Sequence, residues 1–258
     1  MVLVSPRNPL NIGAAARAMA NFGFSRLDVV AAFAPTWREA RSAVGAPDVL
    51  LNARSMESLA EAVADCALVV GTGTLAWRKP EQAVVSLPLL APLVMRELNR
   101  AGHIALVFGS EKHGLTREDL SYCHLLVEIP TDPAQPSMNL GQAVAVCLYE
   151  LAAHGSLPET PAKGETLTTQ PGSRQASATE QKPAATSGRL DLLAGLIEEV
   201  MDAAGYSPPA MQPANRHDLR LLLRRLKLST HDTRRVLGLF RRILWRLKRA
   251  PVPNSGLR

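Results

Sequence analysis

The stretch from Asn11 to Met19 places an arginine one helical turn beyond a glycine, shortly after an apolar run from Met1 to Val4. Arg17 is flanked by alanines and a methionine, although a helix on a globular protein normally carries arginine on a charged face. Small neighbours let a substrate or another backbone approach the guanidinium closely. Arg17 is therefore a candidate for stabilising a developing negative charge. The alternative is a packed helix from which Arg17 only reaches into solvent.

Three further loops are rich in small or polar residues and follow predicted strands. They are Gly-Thr-Gly-Thr at 71–74, Gly-Ser-Glu-Lys-His-Gly-Leu at 109–115, and the segment 130–140 that contains Ser137 and Asn139. The first lacks the third glycine of a dinucleotide fingerprint, and the second is followed by Leu115 and Thr116, without the Lys that a P-loop requires. A nucleoside triphosphate site is therefore not expected.

Apolar runs that alternate with helical patterns place these loops in a common architecture. The predicted strands are Val2–Val4, Leu27–Val30, Leu68–Gly71, Ile104–Phe108 and Leu125–Ile129. Strands that alternate with helices indicate an α/β fold with a mostly parallel sheet and helices on both faces. Ligands bind such sheets at the carboxyl ends of the strands, which is where the three loops lie.

The composition excludes several classes of protein. The chain has 258 residues, of which 47% are hydrophobic, but no apolar run approaches the roughly 20 residues of a membrane span. Its start lacks the pattern of a signal peptide, so a cytoplasmic protein without membrane contact is expected. Cys66, Cys123 and Cys147 have no CxxC spacing, so we expect buried thiols, no disulfide framework and no metal site.

The C-terminal part differs from the rest in composition and charge. Residues 153–188 are rich in Pro, Gly, Ser, Thr and Gln, which predicts a flexible linker. Three helices are predicted after it, from Leu190 to near Gly205, from Asn215 to Leu226, and from Thr230 to Ala250. Residues 216–249 contain twelve Lys or Arg and two Asp, a net charge of +10. Such clustering indicates a polyanionic partner, with a merely solvated basic helix as the alternative.

The segments 11–17, 108–115 and 137–140, with the helix that follows at 142–150, together resemble the three hallmark motifs of the SPOUT superfamily of RNA methyltransferases. The resemblance is to the SpoU or TrmH-like branch, and most closely to TrmJ-type tRNA ribose methyltransferases. It spans residues 1 to about 151 and continues weakly into the helical tail. It implies a methyltransferase domain over 1–152 with a C-terminal trefoil knot, a linker over 153–188, and a small all-α, basic RNA-binding extension over 189–258.

The resemblance also implies an activity. The expected reaction is transfer of a methyl group from S-adenosylmethionine to a ribose 2′-hydroxyl of tRNA, at the first nucleotide of the anticodon loop, position thirty-two. A ribosomal RNA substrate and a knotted RNA-binding module without catalysis are the alternatives. The family forms homodimers, in which the arginine corresponding to Arg17 serves the cofactor of the partner subunit. Because guanidinium stays protonated in proteins, electrostatic activation is favoured over a role as literal base.

The resemblance assigns roles to particular residues. Arg17 is the expected catalytic group, and Asn11, Glu111, Ser137 and Asn139 are expected to orient it, the ribose and the loops. Asn11, Ser137 and Asn139 have an alternative role as helix or turn caps. Lys112 and His113 are expected to be solvated, with contact to RNA phosphate as the alternative. The expected cofactor-binding residues, which act mostly through backbone groups, are Thr72, Gly73, Thr74, Gly109, Ile129, Pro136, Ser137 and Met138.

The predicted helix from Gly141 to Leu151 carries an apolar stripe. Val144, Cys147, Leu148 and Leu151 are spaced so that they share one face. Since a monomer would expose that face to water, we expect a second subunit to cover it.

Overall fold

A computed structural model describes residues 1–33, 37–39, 45–74, 80–100, 102–154, 183–206 and 208–249. Its first part contains a seven-stranded sheet. The strands are β1 (Val2–Val4), β2 (Asp28–Val30), β3 (Arg54–Met56), β4 (Cys66–Thr72), β5 (Ala83–Ser86), β6 (His103–Phe108) and β7 (Leu125–Glu128). Their order is β3-β2-β1-β6-β4-β7-β5, and each neighbouring pair is parallel. The predicted α/β class with a mostly parallel sheet is confirmed.

Nine α-helices accompany the sheet in the described residues. They are α1 (Pro9–Asn21), α2 (Pro47–Leu51), α3 (Leu59–Ala62), α4 (Leu90–Leu98), α5 (Arg117–Ser121), α6 (Leu140–His154), α7 (Ser187–Ala203), α8 (Gln212–Arg225) and α9 (Thr230–Arg249). Short 3₁₀ turns occur at 37–39, 87–89 and 209–211. Ala250, the predicted last residue of the third tail helix, lies outside the described residues.

Helices cover both faces of the sheet, as predicted. On one face, side chains of α1, α2, α4 and α6 form a core with the strands, and Met19, Leu90 and Leu148 are among its fully buried members. On the other face, α3 and α5 form a second core, in which Leu59 and Leu120 pack against the strands. The sheet therefore separates two cores, while its carboxyl edge stays open to the loops. The trefoil knot stays a prediction.

The apolar stripe of α6 packs inside its own subunit, so our expectation that a second subunit covers it was wrong. Val144 and Cys147 are 0% exposed and Leu148 is 2% exposed, because α6 lies against α1 and the sheet. Only Leu151 is half-buried. The exposed apolar side chains of this region are on the outer face, at Val146 and Tyr149.

The ends of α1 and α6 are set by asparagines. The Asn8 side chain accepts a hydrogen bond from the amide of Leu10 and caps α1, so the capping role considered for Asn11 belongs to Asn8. Asn139 caps α6, since its Oδ1 accepts from the amide of Gly141 at 2.9 Å. A Cβ atom on Gly141 would lie 2.7 Å from the Cβ of Ala14, so glycine lets the two helices approach closely.

The three cysteines are buried free thiols, as predicted. Burial raises the pKa of Cys66, Cys123 and Cys147 to about 12 in each case. They therefore remain protonated at neutral pH and act as small core residues. Within the described residues, no helix is long and apolar enough to cross a membrane.

The tail helices form a small core of their own and also dock onto the first domain. Leu193, Leu223 and Leu237 are buried together, which joins α7, α8 and α9. The amide of Gly188 donates to the carbonyl of Ala64 in the first domain at 3.0 Å. Most of the predicted linker, residues 155–182, lies outside the described residues. At its two ends, α6 continues to residue 154 and α7 begins at 187.

Arg224 is the polar centre of this docking. It is only 2% exposed, and its guanidinium donates to the carbonyl of Tyr122 at 3.0 Å, to the Ser187 hydroxyl at 2.9 Å and to the Asp191 carboxylate at 2.9 Å. The same group lies 5.4 Å from the centroid of the Tyr122 ring. Although sequence reasoning counted Arg224 among residues for a polyanion, it joins the tail to the first domain.

Replacing Arg224 should therefore loosen the tail. Arg224→Ala leaves the buried Ser187 and the partly buried Asp191 without their donor. Removing one member of a buried ion pair costs about 3 kcal/mol or more of unfolding free energy. Denaturant unfolding measures the loss, and limited proteolysis should cut the tail faster than the first domain. Arg225→Ala is the matched control, since Arg225 is exposed on the same helix. Equal stability of the two variants would contradict the anchoring role.

Candidate active site

A cavity of about 300 Å³ opens at the carboxyl ends of β4, β6 and β7. The loops after these strands and the start of α6 form its walls, which combine polar groups with apolar side chains. The lining residues are Thr72, Gly73, Thr74, residues 108–115, Ile129, Thr131, Pro136, Ser137, Met138, Leu140 and Ala143. All eight residues predicted to bind a cofactor lie in this lining.

Hydroxyl groups brace the loops around the cavity against one another. Thr72 donates to the carbonyl of Val107 at 2.9 Å, which ties the end of β4 to β6. Thr74 and Thr131 donate to the same carbonyl, that of Pro136, at 3.0 and 3.3 Å. Three segments that are distant in sequence therefore hold one another in place, so the backbone groups facing the cavity are preorganised.

The loop after β6 folds back on itself and requires glycine at its start. A Cβ atom on Gly109 would lie 2.0 Å from the carbonyl carbon of Gly114 and 2.1 Å from the amide nitrogen of Leu115. The amide of Gly114 donates to the carbonyl of Ser110 at 2.8 Å, and Gly114 itself has a φ of +64°. Any larger residue at 109 would push the loop open.

Glu111 projects from this loop to the beginning of α1. Its carboxylate accepts hydrogen bonds from the amides of Arg7 and Asn8, at 2.8 and 3.0 Å, and from the side-chain amide of Asn11 at 3.0 Å. Partial burial acts to raise the pKa of Glu111, but these hydrogen bonds favour the charged form and outweigh it, so the pKa is lowered. Glu111 is therefore ionised at neutral pH and holds the N-terminal end of α1.

Asn11 links Glu111 to the start of α6 through a second hydrogen bond. The side-chain amide of Asn139 donates to Asn11 Oδ1 at 2.9 Å, while Asn139 Oδ1 caps α6. Glu111, Asn11 and Asn139 thus form one hydrogen-bonded chain through all three motifs. Ser137, two residues before Asn139, lies in the cavity lining. Four of the five predicted catalytic residues are brought together in this way.

Arg17 is placed differently from the other four. It lies on the exposed face of α1, seven residues after the exposed Leu10, and it is absent from the cavity lining. Among the described residues, it forms no hydrogen bond or ion pair. The nearby exposed face of α6 presents Val146 and Tyr149. Within a single subunit, therefore, the predicted catalytic cation does not line the cavity of the kind that it is expected to serve.

Sequence reasoning gave too little weight to three residues of the cavity. Lys112 and His113 are exposed, as expected, but they also line the cavity, and so does Thr131. The sequence could have indicated this for Lys112 and His113, because they follow Glu111 between the two glycines of the same loop.

Comparison with known proteins agrees with this geometry. The model of the SpoU rRNA Methylase family matches residues 1–149. The chain is 42% identical over 166 residues to the tRNA (cytidine/uridine/adenosine-2′-O-)-methyltransferase TrmJ of Pseudomonas aeruginosa, a match that covers 60% of this chain and 62% of that protein. It is 32% identical over 246 residues to the tRNA (cytidine/uridine-2′-O-)-methyltransferase TrmJ of Cronobacter sakazakii, and this match covers 90% of each chain.

A solved structure extends the similarity to the tail. The crystal structure of TrmJ from Z. mobilis ZM4 has a TM-score of 0.77 to this chain at 29% sequence identity, and the match covers 94% of this chain and 97% of that one. The similarity therefore includes the helices after the predicted linker as well as the sheet. With the family match over residues 1–149, and with a relative 32% identical over 90% of both chains, the chain belongs to the SpoU methylase family.

Proposed function

We propose that this protein transfers a methyl group from S-adenosylmethionine to a ribose 2′-hydroxyl of tRNA. The observation that carries the proposal is the cavity at the carboxyl edge of the sheet, where the eight expected cofactor residues, Ser137 among them, meet Glu111. The names of the TrmJ relatives support tRNA as substrate. A tRNA substrate places the reaction in the cytoplasm, and anticodon-loop position thirty-two remains the expected target from the resemblance.

The cavity suits S-adenosylmethionine in size and in chemistry. A volume of about 300 Å³ lies at the lower end of the range for small-molecule sites. Phe108, Ile129 and Met138 offer apolar surface for an adenine ring, while Thr72 and Ser137 and the braced loop backbones offer polar groups. When bound, S-adenosylmethionine supplies an electrophilic methyl group. The proposed binding needs no metal ion.

The residues of the chain have to position the hydroxyl and stabilise the charge that develops on it. Holding the ribose oxygen in line with the methyl group supplies much of the acceleration. Arg17, which stays protonated, stabilises the forming alkoxide electrostatically, and the proton leaves to an RNA phosphate or to water. Glu111, Asn11 and Asn139 hold the loops and the start of α1 in register.

On this proposal, Arg17 acts at the cofactor cavity of a second subunit. The helices α1 and α6 pack on each other and expose Leu10, Val146 and Tyr149 in addition to Arg17. Exposed apolar side chains of this kind are what a partner covers. A symmetric homodimer through this surface presents each Arg17 to its partner. The proposed active site is therefore shared between two copies of the chain.

The reaction itself is tested by incubating the protein with labelled S-adenosylmethionine and total RNA, followed by mass spectrometric mapping of the labelled ribose. The expected result is a single 2′-O-methylated position in tRNA. Label in ribosomal RNA alone would favour the alternative substrate. Absence of label, with RNA binding retained, would favour a binding module without catalysis.

Replacement of Arg17 separates catalysis from cofactor binding. Arg17→Ala should lower methyl transfer by about 100-fold or more, as expected for loss of a group that stabilises transition-state charge. Binding of S-adenosylmethionine, measured by calorimetry, should be unchanged because Arg17 is outside the cavity of its own subunit. Arg96→Ala, at another exposed arginine, is the control. A parallel loss of cofactor affinity would refute the assigned role.

Mixed dimers test whether Arg17 acts across the interface. Arg17→Ala is combined with Gly109→Ala, whose added Cβ opens the cofactor loop, and each variant alone should be inactive. After subunit exchange, about a quarter of wild-type activity should return, since half of the dimers are mixed and each has one competent site. No recovery, in a mixture whose exchange is verified, would show that Arg17 serves its own subunit.

Glu111 should make stability depend on pH. At pH 7, Glu111→Gln should lower the free energy of unfolding by about 1 kcal/mol, because the amide turns an NH₂ group toward one of three donors. Since the pKa of Glu111 is lowered from its ordinary 4.5, the contribution is complete above pH 4.5 and disappears as the pH falls through the lowered value. As the pH is lowered from 7 to 3, the melting temperature of Glu111→Gln should therefore approach that of the wild type. The exposed Glu57→Gln is the control, and a constant difference would contradict the assignment.

We further propose that α9 is the main RNA-binding surface of the tail. Several basic residues of the tail are engaged within the protein, since Arg216 pairs with Glu198, Lys248 pairs with Glu199, and Arg224 is buried. Six arginines on the exposed side of α9 form no ion pair within the described residues. They are Arg234, Arg235, Arg241, Arg242, Arg246 and Arg249.

Neutralising part of this surface should weaken RNA binding in a salt-dependent way. The triple variant Arg235→Gln, Arg242→Gln and Arg246→Gln should reduce the slope of log affinity against log salt by about 2, because each phosphate contact contributes roughly 0.7 to 0.9. Cofactor binding should be unchanged. Arg96→Gln removes a charge from the first domain and is the control. An unchanged slope would show that α9 does not contact phosphates.

A further inference from the structure

A second cavity lies where α8 meets the first domain. It has a volume of about 430 Å³ and is bordered by residues 80–82, by the segment 113–120 and by His217 and Leu221 of α8. His113 lines both this cavity and the candidate cofactor cavity. Leu115 lines both cavities as well, so the two are neighbours on either side of the loop that carries Glu111.

The second cavity has an apolar floor and a polar rim. Leu115 and Leu221, both buried, form part of the floor. Glu81 and His217 line the rim. Asp218 lies next to the lining, with a carboxylate oxygen within 4.8 Å of ligand atoms of both. Within the described part of the chain, the carboxylates of Glu81 and Asp218 form no hydrogen bond or ion pair. Two acceptors are thus held close together and remain available for a ligand.

We propose that this cavity holds an unpaired nucleobase next to the methylated ribose, and that Glu81 and Asp218 accept hydrogen bonds from its exocyclic amino group. The inference rests on the proposed function. Proteins read RNA sequence through unstacked bases, whose flat faces pack on side chains and whose edges form hydrogen bonds. An exocyclic amino group has two hydrogens and can donate to both carboxylates, whereas uracil has carbonyls at these positions and only its ring N3–H to donate. The site favours cytosine, adenine or guanine over uracil.

The charges around the rim favour a base over a metal ion. The positive charges of Arg117 and Arg220 both act on His217. Burial and these cations lower the pKa of His217 despite the two carboxylates, so the imidazole is neutral at pH 7 and offers one donor and one acceptor. A dication would have to enter beside Arg117, whereas a neutral base meets no such repulsion.

Docking of the tail makes this cavity a fixed feature. His217 and Asp218 lie on α8, two turns before Arg224, which is buried against Tyr122 of the first domain. Because Arg224 sets the position of α8, it also sets the width of the cavity. The tail therefore contributes base-reading groups beside the active site in addition to the arginines of α9.

The test compares RNA substrates that differ beside the methylated nucleotide. After that nucleotide has been mapped, full-length tRNA transcripts are made with uridine or an amino-bearing base at each flanking position. For the wild-type dimer, uridine at one flank should reduce both kcat/KM and tRNA affinity about 10-fold, in line with discrimination by one base-edge contact. In Glu81→Gln and Asp218→Asn, the kcat/KM for the amino-bearing base divided by that for uridine should approach one, while S-adenosylmethionine affinity is unchanged. Glu57→Gln is the matched control.

Each alternative outcome is distinct. Discrimination retained in both variants, or no dependence on either flank, overturns the base site while leaving the methyltransferase proposal intact. If no nucleotide is methylated, the transcripts are varied beside anticodon-loop position thirty-two, and base-dependent binding there overturns the proposed function alone. If Zn²⁺ raises the melting temperature of wild type but not of Glu81→Gln, and the flanking base has no effect, the rim is a cation site and the nucleobase proposal is wrong.

Discussion

The Glu111 carboxylate is the interaction on which the arrangement of the site depends. It accepts three hydrogen bonds from the start of α1, which lies more than 100 residues earlier in the chain. Through Asn11 and Asn139 the same chain of hydrogen bonds reaches the cap of α6. The buried packing of α1 on α6 then fixes the orientation of both helices. A single ionised group thereby links a loop, two helix ends and the surface that carries Arg17.

The two sides of α1 have different roles. Its inner side, with Met19 and Ile12 fully buried, is locked into the core, while its outer side presents Arg17 among exposed apolar groups. The cavity is complete in its loops but has no guanidinium from its own α1 in its lining. In the reaction proposed above, positioning by one subunit and charge stabilisation by another are joined only on assembly.

Sequence patterns predicted the parts of the fold that depend on local composition. The continuous apolar runs of β1, β4 and β6 are typical of strands buried on both faces, and all three formed as predicted. The edge strands β3 and β5 were missed. Arg54–Met56 has no continuous apolar run, and the short apolar run at 83–85 was not predicted as a strand.

The placement of the site residues required more than local patterns. The loops that line the cavity could be located in the sequence because the three motifs and their separations resemble those of a known family. Tertiary partners could not be predicted, since composition records the charge of Arg224 but not its burial against Tyr122, and the periodicity of Val144, Cys147 and Leu148 reveals an apolar face but not what covers it.

The contact of Arg224 with Tyr122 also bears on how the protein acquires its structure during synthesis. The two residues are 102 positions apart, and Arg224 lies near the end of the described chain. Domains fold as units while the chain emerges, so the sheet and its loops can assemble before α8 leaves the ribosome. The surface around Tyr122 therefore stays uncovered on the nascent chain until the last helices are made. Closure of the cavity beside the active site is a late event in the maturation of each molecule, so a prematurely terminated chain would retain the first domain but lack one wall of that cavity.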